Sequence, residues 1–158
     1  MAVQKPIPIT QQGLERLRGE LDDLVTVKRA ANAERIHQIR EKAPTIQGDG
    51  EFEEAKNAQA FIEGRILTIE NILANIELID ESLAHDASAV RLGATVAVTI
   101  GGKVQELTIV GMPEVDPVHG FVSDESPVGR ALLGHKVGET VEADAPAGKI
   151  KIKIKKIL

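Results

Sequence analysis

Residues 14–24 read Leu-Glu-Arg-Leu-Arg-Gly-Glu-Leu-Asp-Asp-Leu, so leucine recurs at every third or fourth position. This spacing forms a heptad seam and predicts an amphipathic helix that pairs with another helix. The seam weakens at Lys28 and Ala31, where the next apolar residues are due, and resumes one position later at Ile36 and Ile39. A shift of one residue indicates a stutter-like irregularity within the helix.

The first helix has clear start and stop signals. Thr10 is a suitable N-cap, and Pro44 ends the helix near Lys42 because proline cannot continue the hydrogen-bond ladder. Residues 44–50 have the composition of a turn, and a second helix starts near Glu51. Its seam consists of apolar residues at helical spacing: Ile62, Ile66, Ile69, Leu73, Ile76 and Leu83. Two helices of similar length with facing seams predict an antiparallel coiled-coil hairpin.

The second half of the chain has the pattern of a small sheet. Two β-rich runs, 94–100 and 104–110, meet at Gly101-Gly102, which predicts a β-hairpin. Ser126-Pro127 combines an N-cap with proline at the first helical position, so a short helix starts there. Residues 149–155 alternate lysine with isoleucine, which predicts a strand with a buried isoleucine face. Its solvent-facing lysines suit an edge strand, where they prevent pairing with other sheets.

Charge also separates the two halves. Residues 1–85 carry 10 basic and 15 acidic side chains, whereas residues 86–158 carry nine of each, so the net charge of −5 belongs to the first half. We therefore predict an α+β protein with two domains. An N-terminal helical coiled-coil hairpin spans 1–83, a linker spans 84–92, and a small β-sheet domain with one short helix spans 93–158.

Composition excludes several classes of function. The chain has no cysteine, which rules out disulfides, iron–sulfur clusters, Cys-ligated zinc and thiol catalysis. An acidic balance argues against independent, sequence-specific DNA binding, and the three phenylalanines offer few rings for stacking on bases. No apolar stretch is long enough to span a bilayer and no signal peptide precedes the first helix, so we expect no membrane partner and a cytoplasmic location.

Charged residues gather around the predicted tip, 44–50. Asp49 and Glu51 are carboxylates of the kind that hold a hard cation such as Mg²⁺, and they can position a water for phosphodiester chemistry. Arg40 and Lys56 flank the tip and can contact a phosphate backbone. A simpler interpretation is a solvated tip, with acidic residues placed favourably at the start of a helix.

Three motifs resemble those of the bacterial Gre family of transcript-cleavage factors. The first is Pro8-Ile9-Thr10-x-x-Gly13-x-x-x-Leu17-x-x-Glu20-Leu21. The second is Glu63-Gly64-Arg65-Ile66, and the third is Ser126-Pro127-Val128-Gly129-Arg130-Ala131-Leu132-Leu133-Gly134. The three occur in the family's order and extend over essentially the whole chain.

The resemblance implies that this chain is not itself an enzyme and that its binding partner is bacterial RNA polymerase. In the family, the hairpin enters the secondary channel of the polymerase and an FKBP-like C-terminal domain docks at the channel rim. Tip carboxylates help the polymerase hold a second Mg²⁺ and cut backtracked RNA near its 3′ end, so the factor needs no cofactor of its own. The family's RNA-proximal basic residues fall on Arg40 and Lys56. Its rim contacts fall on four residues: Ser123, Glu125, Ser126 and Pro127.

The tip itself departs from the family pattern. Cleavage-active members carry Gly-Asp-Leu-x-Glu-Asn-Ala-Glu-Tyr, and counts from the two flanking motifs differ by one residue, which indicates an insertion. The family's two key acidic positions fall on uncharged residues in either count: Pro44, Thr45, Gln47 and Gly48. The nearest carboxylates are Asp49 and Glu51.

Several functions therefore remain open from the sequence. Asp49 and Glu51 can support weak cleavage, or the hairpin obstructs the channel as in the family's anti-cleavage, inhibitory paralogues. A coiled-coil finger also suits a chaperone-like interaction module. The FKBP-like half suggests a prolyl isomerase, which the scarcity of aromatic rings disfavours.

Overall fold

The computed structural model describes residues 4–42 and 50–158 and divides into two compact units. One unit is Leu14–Ala74, and the other combines Met1–Gly13 with Asn75–Leu158. The first is helical and the second contains the strands, so the predicted α+β class is confirmed. The units differ from the division expected from the sequence, because both the N-terminal residues and residues 75–92 lie with the sheet.

The helical unit is the predicted hairpin. Its first arm comprises α1 (Gln11–Asp23), a π-helical segment (Leu24–Lys28) and α2 (Arg29–Lys42), and its second arm is α3 (Gly50–Leu73). The arms are antiparallel, because residues early in the first arm contact residues late in the second. Their interface is aliphatic and includes the buried residues Leu17, Leu24, Ile36, Ile39, Ala55, Ile62, Ile66 and Ile69.

The π-helical segment explains the shift in the seam. A π turn closes its hydrogen bonds one residue further along than an α turn, so it absorbs one extra residue. The seam therefore passes from Leu24 to Ile36 and Ile39, which are buried, while Lys28 and Ala31 are exposed. The predicted irregularity is confirmed and lies at residues 24–28.

The prediction that the second helix continues to Leu83 is wrong. Helix α3 ends at Leu73, and the chain continues as strand β2 (Ile76–Leu78), which pairs in parallel with β1 (Ile7–Ile9). Backbone hydrogen bonds extend this pairing at both ends, from Ile7 N to Asn75 O and from Ile79 N to Ile9 O, each 2.8 Å. The extended backbone is thus stabilised by a partner far away in sequence. Leu83 lies in a separate short helix, α4 (Glu81–Ala84), capped by Asp80.

Five strands form a mixed sheet in the order β5-β4-β3-β7-β6. They are β3 (Thr95–Ile100), β4 (Lys103–Val110), β5 (Phe121–Ser123), β6 (Thr140–Ala145) and β7 (Gly148–Ile157). The hairpin between β3 and β4 is confirmed, and Gly101 and Gly102 both have the positive φ that such a tight turn requires.

Strand β7 has the predicted buried face, with Ile152 and Ile154 completely buried. Its expected edge position is wrong, because β6, which the sequence did not reveal, pairs along it on the side away from β3. The lysines therefore cover one face of an interior strand.

The remaining segments pack around the sheet. The predicted short helix is α5 (Pro127–Leu132). The segment expected to be a linker contributes to the core, because Val90 is buried and its N–H donates to His135 O at 2.8 Å. In the part of the chain that is described, no helix is long and apolar enough to cross a membrane.

Candidate functional site

The two basic residues predicted near the tip converge on one aromatic ring. Arg40 Cζ lies 5.7 Å from the centroid of the Phe52 ring, and Lys56 Nζ lies 5.9 Å from it. Both distances are within the range of a cation–π contact, which contributes about 0.5–1 kcal/mol at an exposed site. Phe52 is half-buried and packs on three buried residues: Ile36, Ile39 and Ala55. The ring therefore gathers cations from both arms at one end of the hairpin.

Carboxylates begin the second arm at the same end. Glu51 and Glu53 lie in the first turn of α3, where the positive end of the helix dipole favours negative charge. Asp49, the other predicted metal-positioning residue, lies outside the described residues. Within residues 4–42 and 50–158, no three His, Cys, Asp or Glu side chains form a group that could hold a metal ion.

Two bidentate ion pairs join the arms further from the tip. The Nε and Nη2 atoms of Arg65 lie 2.6 and 2.9 Å from the carboxylate oxygens of Glu20, and those of Arg29 lie 2.7 and 2.8 Å from Glu63. The hydrogen bonds from these guanidinium groups lower the pKa of Glu20 and of Glu63. Bidentate geometry is directional, so the pairs favour the register in which these residues lie opposite each other.

The four predicted rim residues lie along one turn, from the last residue of β5 to the first residue of α5. Ser126 accepts a hydrogen bond from Gly129 N at 3.1 Å and donates to Ser123 O at 2.6 Å. Ser123 is buried and its hydroxyl accepts from Glu125 N at 3.0 Å. Glu125 is exposed and Pro127 is half-buried. The two serines therefore shape the turn, and Glu125 is the one of the four residues that is exposed.

Comparison with known families accounts for nearly the whole chain. A profile described as "Transcription elongation factor, N-terminal" matches residues 7–78, and one described as "Transcription elongation factor, GreA/GreB, C-term" matches residues 85–158. The chain belongs to the GreA/GreB family of transcription elongation factors. The resemblance seen in the three sequence motifs is thereby confirmed.

Individual GreA/GreB proteins are similar over their full length. Transcription elongation factor GreA of Caldanaerobacter subterraneus subsp. tengcongensis is 49% identical, with 98% of this chain and 99% of that protein covered. GreA of Listeria welshimeri is 43% identical, with 99% and 98% covered. Among solved structures, GreA factor homolog 1 of Thermus thermophilus is 27% identical with a TM-score of 0.44, and 98% of this chain and 99% of that one are covered.

The first GreA/GreB motif has a structural role that sequence reasoning missed. Thr10 donates its backbone N–H to Glu114 Oε2 at 2.9 Å, and its hydroxyl also bonds the Glu114 carboxylate. A Cβ on Gly13 would overlap the Glu114 carboxylate, so a larger residue at this position would displace that side chain. Nothing in the local sequence marks Glu114 as the partner of a residue 104 positions earlier.

A second missed residue lies in the hairpin seam. Asn32 occupies the position that the π-helical segment shifts into the seam, and its Nδ2 donates to Ala55 O at 3.0 Å. A polar seam residue of this kind selects one register at some cost in stability. The sequence did carry a signal for this position. Asn32 precedes Ile36 and Ile39 at heptad spacing, four and then three residues apart, so it belongs to the seam as it continues after the one-residue shift.

Proposed function

We propose that this chain binds bacterial RNA polymerase, inserts the tip of its hairpin into the secondary channel, and modulates backtracking and transcript cleavage. The sheet unit docks at the channel rim through the turn that contains Glu125. The polymerase carries any RNA cleavage, and this chain acts as its cofactor. Membership of the GreA/GreB family supports the general role, and the residues at the tip support the particular one.

The observation that carries the proposal is the charge arrangement around Phe52. Arg40 and Lys56 lie within 6 Å of its ring centroid, and Glu51 and Glu53 lie in the adjoining first turn of α3. A nascent RNA 3′ end presents phosphates to the cations, while the carboxylates face the metal-dependent chemistry of the polymerase. Both kinds of group are therefore available from one end of a slender hairpin.

Asp49 and Glu51 are the residues that we assign to a Mg²⁺ shared with the polymerase. Oxygen ligands suit Mg²⁺, which usually keeps several waters and takes only one or two carboxylates from a protein. A metal ion of this kind polarises a phosphoryl oxygen and generates a nucleophile from water. The small number of carboxylates fits a site completed by the polymerase and by RNA phosphate.

The test is a cleavage assay on purified, backtracked elongation complexes. The wild-type chain is compared with Asp49→Ala/Glu51→Ala and with the control Glu54→Ala. Glu54 is a nearby carboxylate that we do not assign to the Mg²⁺, because it pairs with Arg35 of the first arm at 3.6 Å. We expect RNA shortening with the wild type and the control, and at least a tenfold loss with the double variant. Cleavage that survives the double substitution contradicts the role of the two carboxylates.

The same assay separates an inhibitory factor from a cleavage factor. The departure of the tip from the cleavage-active pattern is the observation that favours inhibition. A wild-type chain that binds polymerase, slows elongation and shortens no RNA is an obstructing member of the family. Failure to bind polymerase core at micromolar concentration contradicts both versions, and favours a coiled-coil module with another partner.

A further inference from the structure

The outward face of α3 is uncharged over about four turns. It is formed by seven exposed residues: Asn57, Ala60, Phe61, Gly64, Leu67, Thr68 and Asn71. Phe61 is 75% exposed and Leu67 is 59% exposed, so both place large apolar side chains in water. Glu63 lies beside this face, but its carboxylate is held by Arg29 at 2.7 Å. We call these seven residues the outer face.

Gly64 lies at the middle of the outer face, and none of residues 4–42 and 50–158 makes a contact there that requires glycine. A Cβ built on it meets no atom within 4 Å, and its φ is not positive. Glycine in a helix interior weakens the helix relative to alanine. Its common use is to let another backbone approach closely, and a second copy of the chain can supply that backbone.

The outer face is complementary to itself when reversed. Its residues form three rows spaced by seven positions: Asn57-Gly64-Asn71, Ala60-Leu67 and Phe61-Thr68. Consider two copies of α3 that pack antiparallel about a two-fold axis beside Gly64. Each row of one copy then faces the same row of the other copy, which runs in the opposite direction. Asn57 then meets Asn71 of the second copy, where two amides can exchange hydrogen bonds.

The other two rows match by size under the same operation. Leu67 meets Ala60 of the second copy, and Phe61 meets Thr68. The Thr68 hydroxyl already donates to Gly64 O at 2.9 Å, so its methyl group is left for this contact. Each large side chain is therefore received by a small one, which is how closely packed helices interdigitate.

Charges at the ends of the outer face are complementary as well. Lys56, Glu63 and Glu70 form the neighbouring row, and reversal sets Lys56 opposite Glu70 of the second copy. Glu63 lies near the axis, where its pairing with Arg29 reduces the repulsion between the Glu63 carboxylates of the two copies. We propose that the outer face binds a second copy of this chain in an antiparallel, two-fold contact centred on Gly64. A single helix-to-helix contact is small, so the association is weak and concentration-dependent.

Sedimentation velocity of the full chain, from micromolar to sub-millimolar concentration, tests the proposal. We expect Gly64→Leu to weaken self-association at least tenfold, because leucine blocks the close approach. Gly19→Leu is the matched control, since Gly19 is also an exposed helical glycine with open space above it. Both variants should melt no lower than the wild type, because leucine is the better helix former. A wild type that stays monomeric throughout contradicts the proposal, as does equal weakening by both variants.

Cross-linking provides a second test that does not depend on leucine being tolerated. The chain has no cysteine, so Gly64→Cys and Gly19→Cys each carry a single thiol. Residues on a two-fold axis between close helices lie within the distance that a disulfide spans. We expect oxidation to join Gly64→Cys chains several-fold faster than Gly19→Cys chains, and equal rates overturn the proposal. If Gly64→Leu weakens polymerase binding and leaves sedimentation unchanged, the outer face is a polymerase contact and the proposal is also overturned.

Discussion

Arg65 holds both carboxylate oxygens of Glu20 from the opposite arm of the hairpin, with Nε at 2.6 Å and Nη2 at 2.9 Å. Glu20 belongs to the first family motif and Arg65 to the second, 45 residues later. The two motifs that identify the helical half of the chain are therefore in direct contact. The contact favours the register in which Glu20 and Arg65 lie opposite each other.

We expect Glu20→Gln to lower the free energy of unfolding by about 1 kcal/mol at pH 7, measured by urea denaturation. Both side chains are 37% exposed, so solvent screening keeps the value well below that of a buried pair. Arg65→Lys separates geometry from charge, because lysine retains the positive charge and loses the bidentate geometry. It should cost about as much as Glu20→Gln if geometry, rather than charge alone, stabilises the hairpin.

The same pair predicts a pH dependence. Hydrogen bonding to Arg65 lowers the pKa of Glu20 in the folded state, so its stabilising effect is fully present above the unfolded pKa of about 4.3. The effect is lost as pH falls through the lower, folded pKa. The difference in stability between wild type and Glu20→Gln should therefore shrink in strong acid. A difference that stays constant down to the acid transition contradicts this assignment.

Glu114→Ala should lower the free energy of unfolding by about 1–3 kcal/mol, because it leaves Thr10 N–H at the start of α1 without its acceptor. Glu114 is 9% exposed, so water replaces the carboxylate poorly. Gly13→Ala should act through the same contact, since the new Cβ displaces the Glu114 side chain. We expect the double variant to cost less than the sum of the two single ones. Additive effects in chemical denaturation would show that the contact is not shared.

Deletion of Thr26 should leave the hairpin folded and at least as stable as the wild type. Thr26 lies in the π-helical segment, so removing one residue restores a regular helix with Ile36 and Ile39 still on the seam. Deletion of Gln59 is the control, because α3 has no extra residue to lose and half of its seam would rotate away. Thermal denaturation, monitored by circular dichroism, should show a large decrease in melting temperature only for the control. A comparable loss for the Thr26 deletion refutes the idea that the segment stores a removable residue.

Substitutions in the turn before α5 should separate folding from binding. Ser126→Ala removes the N-cap and should cost about 1 kcal/mol of stability. Glu125→Ala removes an exposed side chain, so stability should change by less than about 0.5 kcal/mol. If the turn docks on polymerase as proposed, Glu125→Ala weakens binding to polymerase core several-fold. Unchanged affinity in a direct binding assay excludes Glu125 from the interface.

Local patterns in the sequence predicted much of the structure. Heptad spacing predicted both arms. The distance from Leu24 to Ile36 is one residue longer than that spacing allows, which predicted the irregularity that the π-helical segment forms. Paired glycines located the hairpin between β3 and β4, and Ser126-Pro127 located α5. These features depend on residues a few positions apart, so the chain encodes them locally. The same holds for the cluster of charges around the tip, although Asp49 lies outside the described residues.

Contacts between distant residues had no such signal. Ile76 continues the apolar spacing of α3, yet it is a strand residue because Ile7 supplies a backbone partner. The interior position of β7 depends on β6. Thr10 caps α1 as the sequence predicts, since its hydroxyl accepts from Gly13 N at 3.0 Å, but the contact that holds Thr10 depends on Glu114.

The sequence alone determined the two-part α+β architecture, the family and the residues that crowd the tip, because periodicity, turn chemistry and motifs are properties of neighbouring residues. Only the tertiary structure decided where α3 ends, which strand forms an edge and which residue holds Thr10. It also showed that Phe52 gathers Arg40 and Lys56. Each of these outcomes depends on which distant groups satisfy a backbone hydrogen bond or cover a side chain. Such pairings are chosen by the packing of the whole chain.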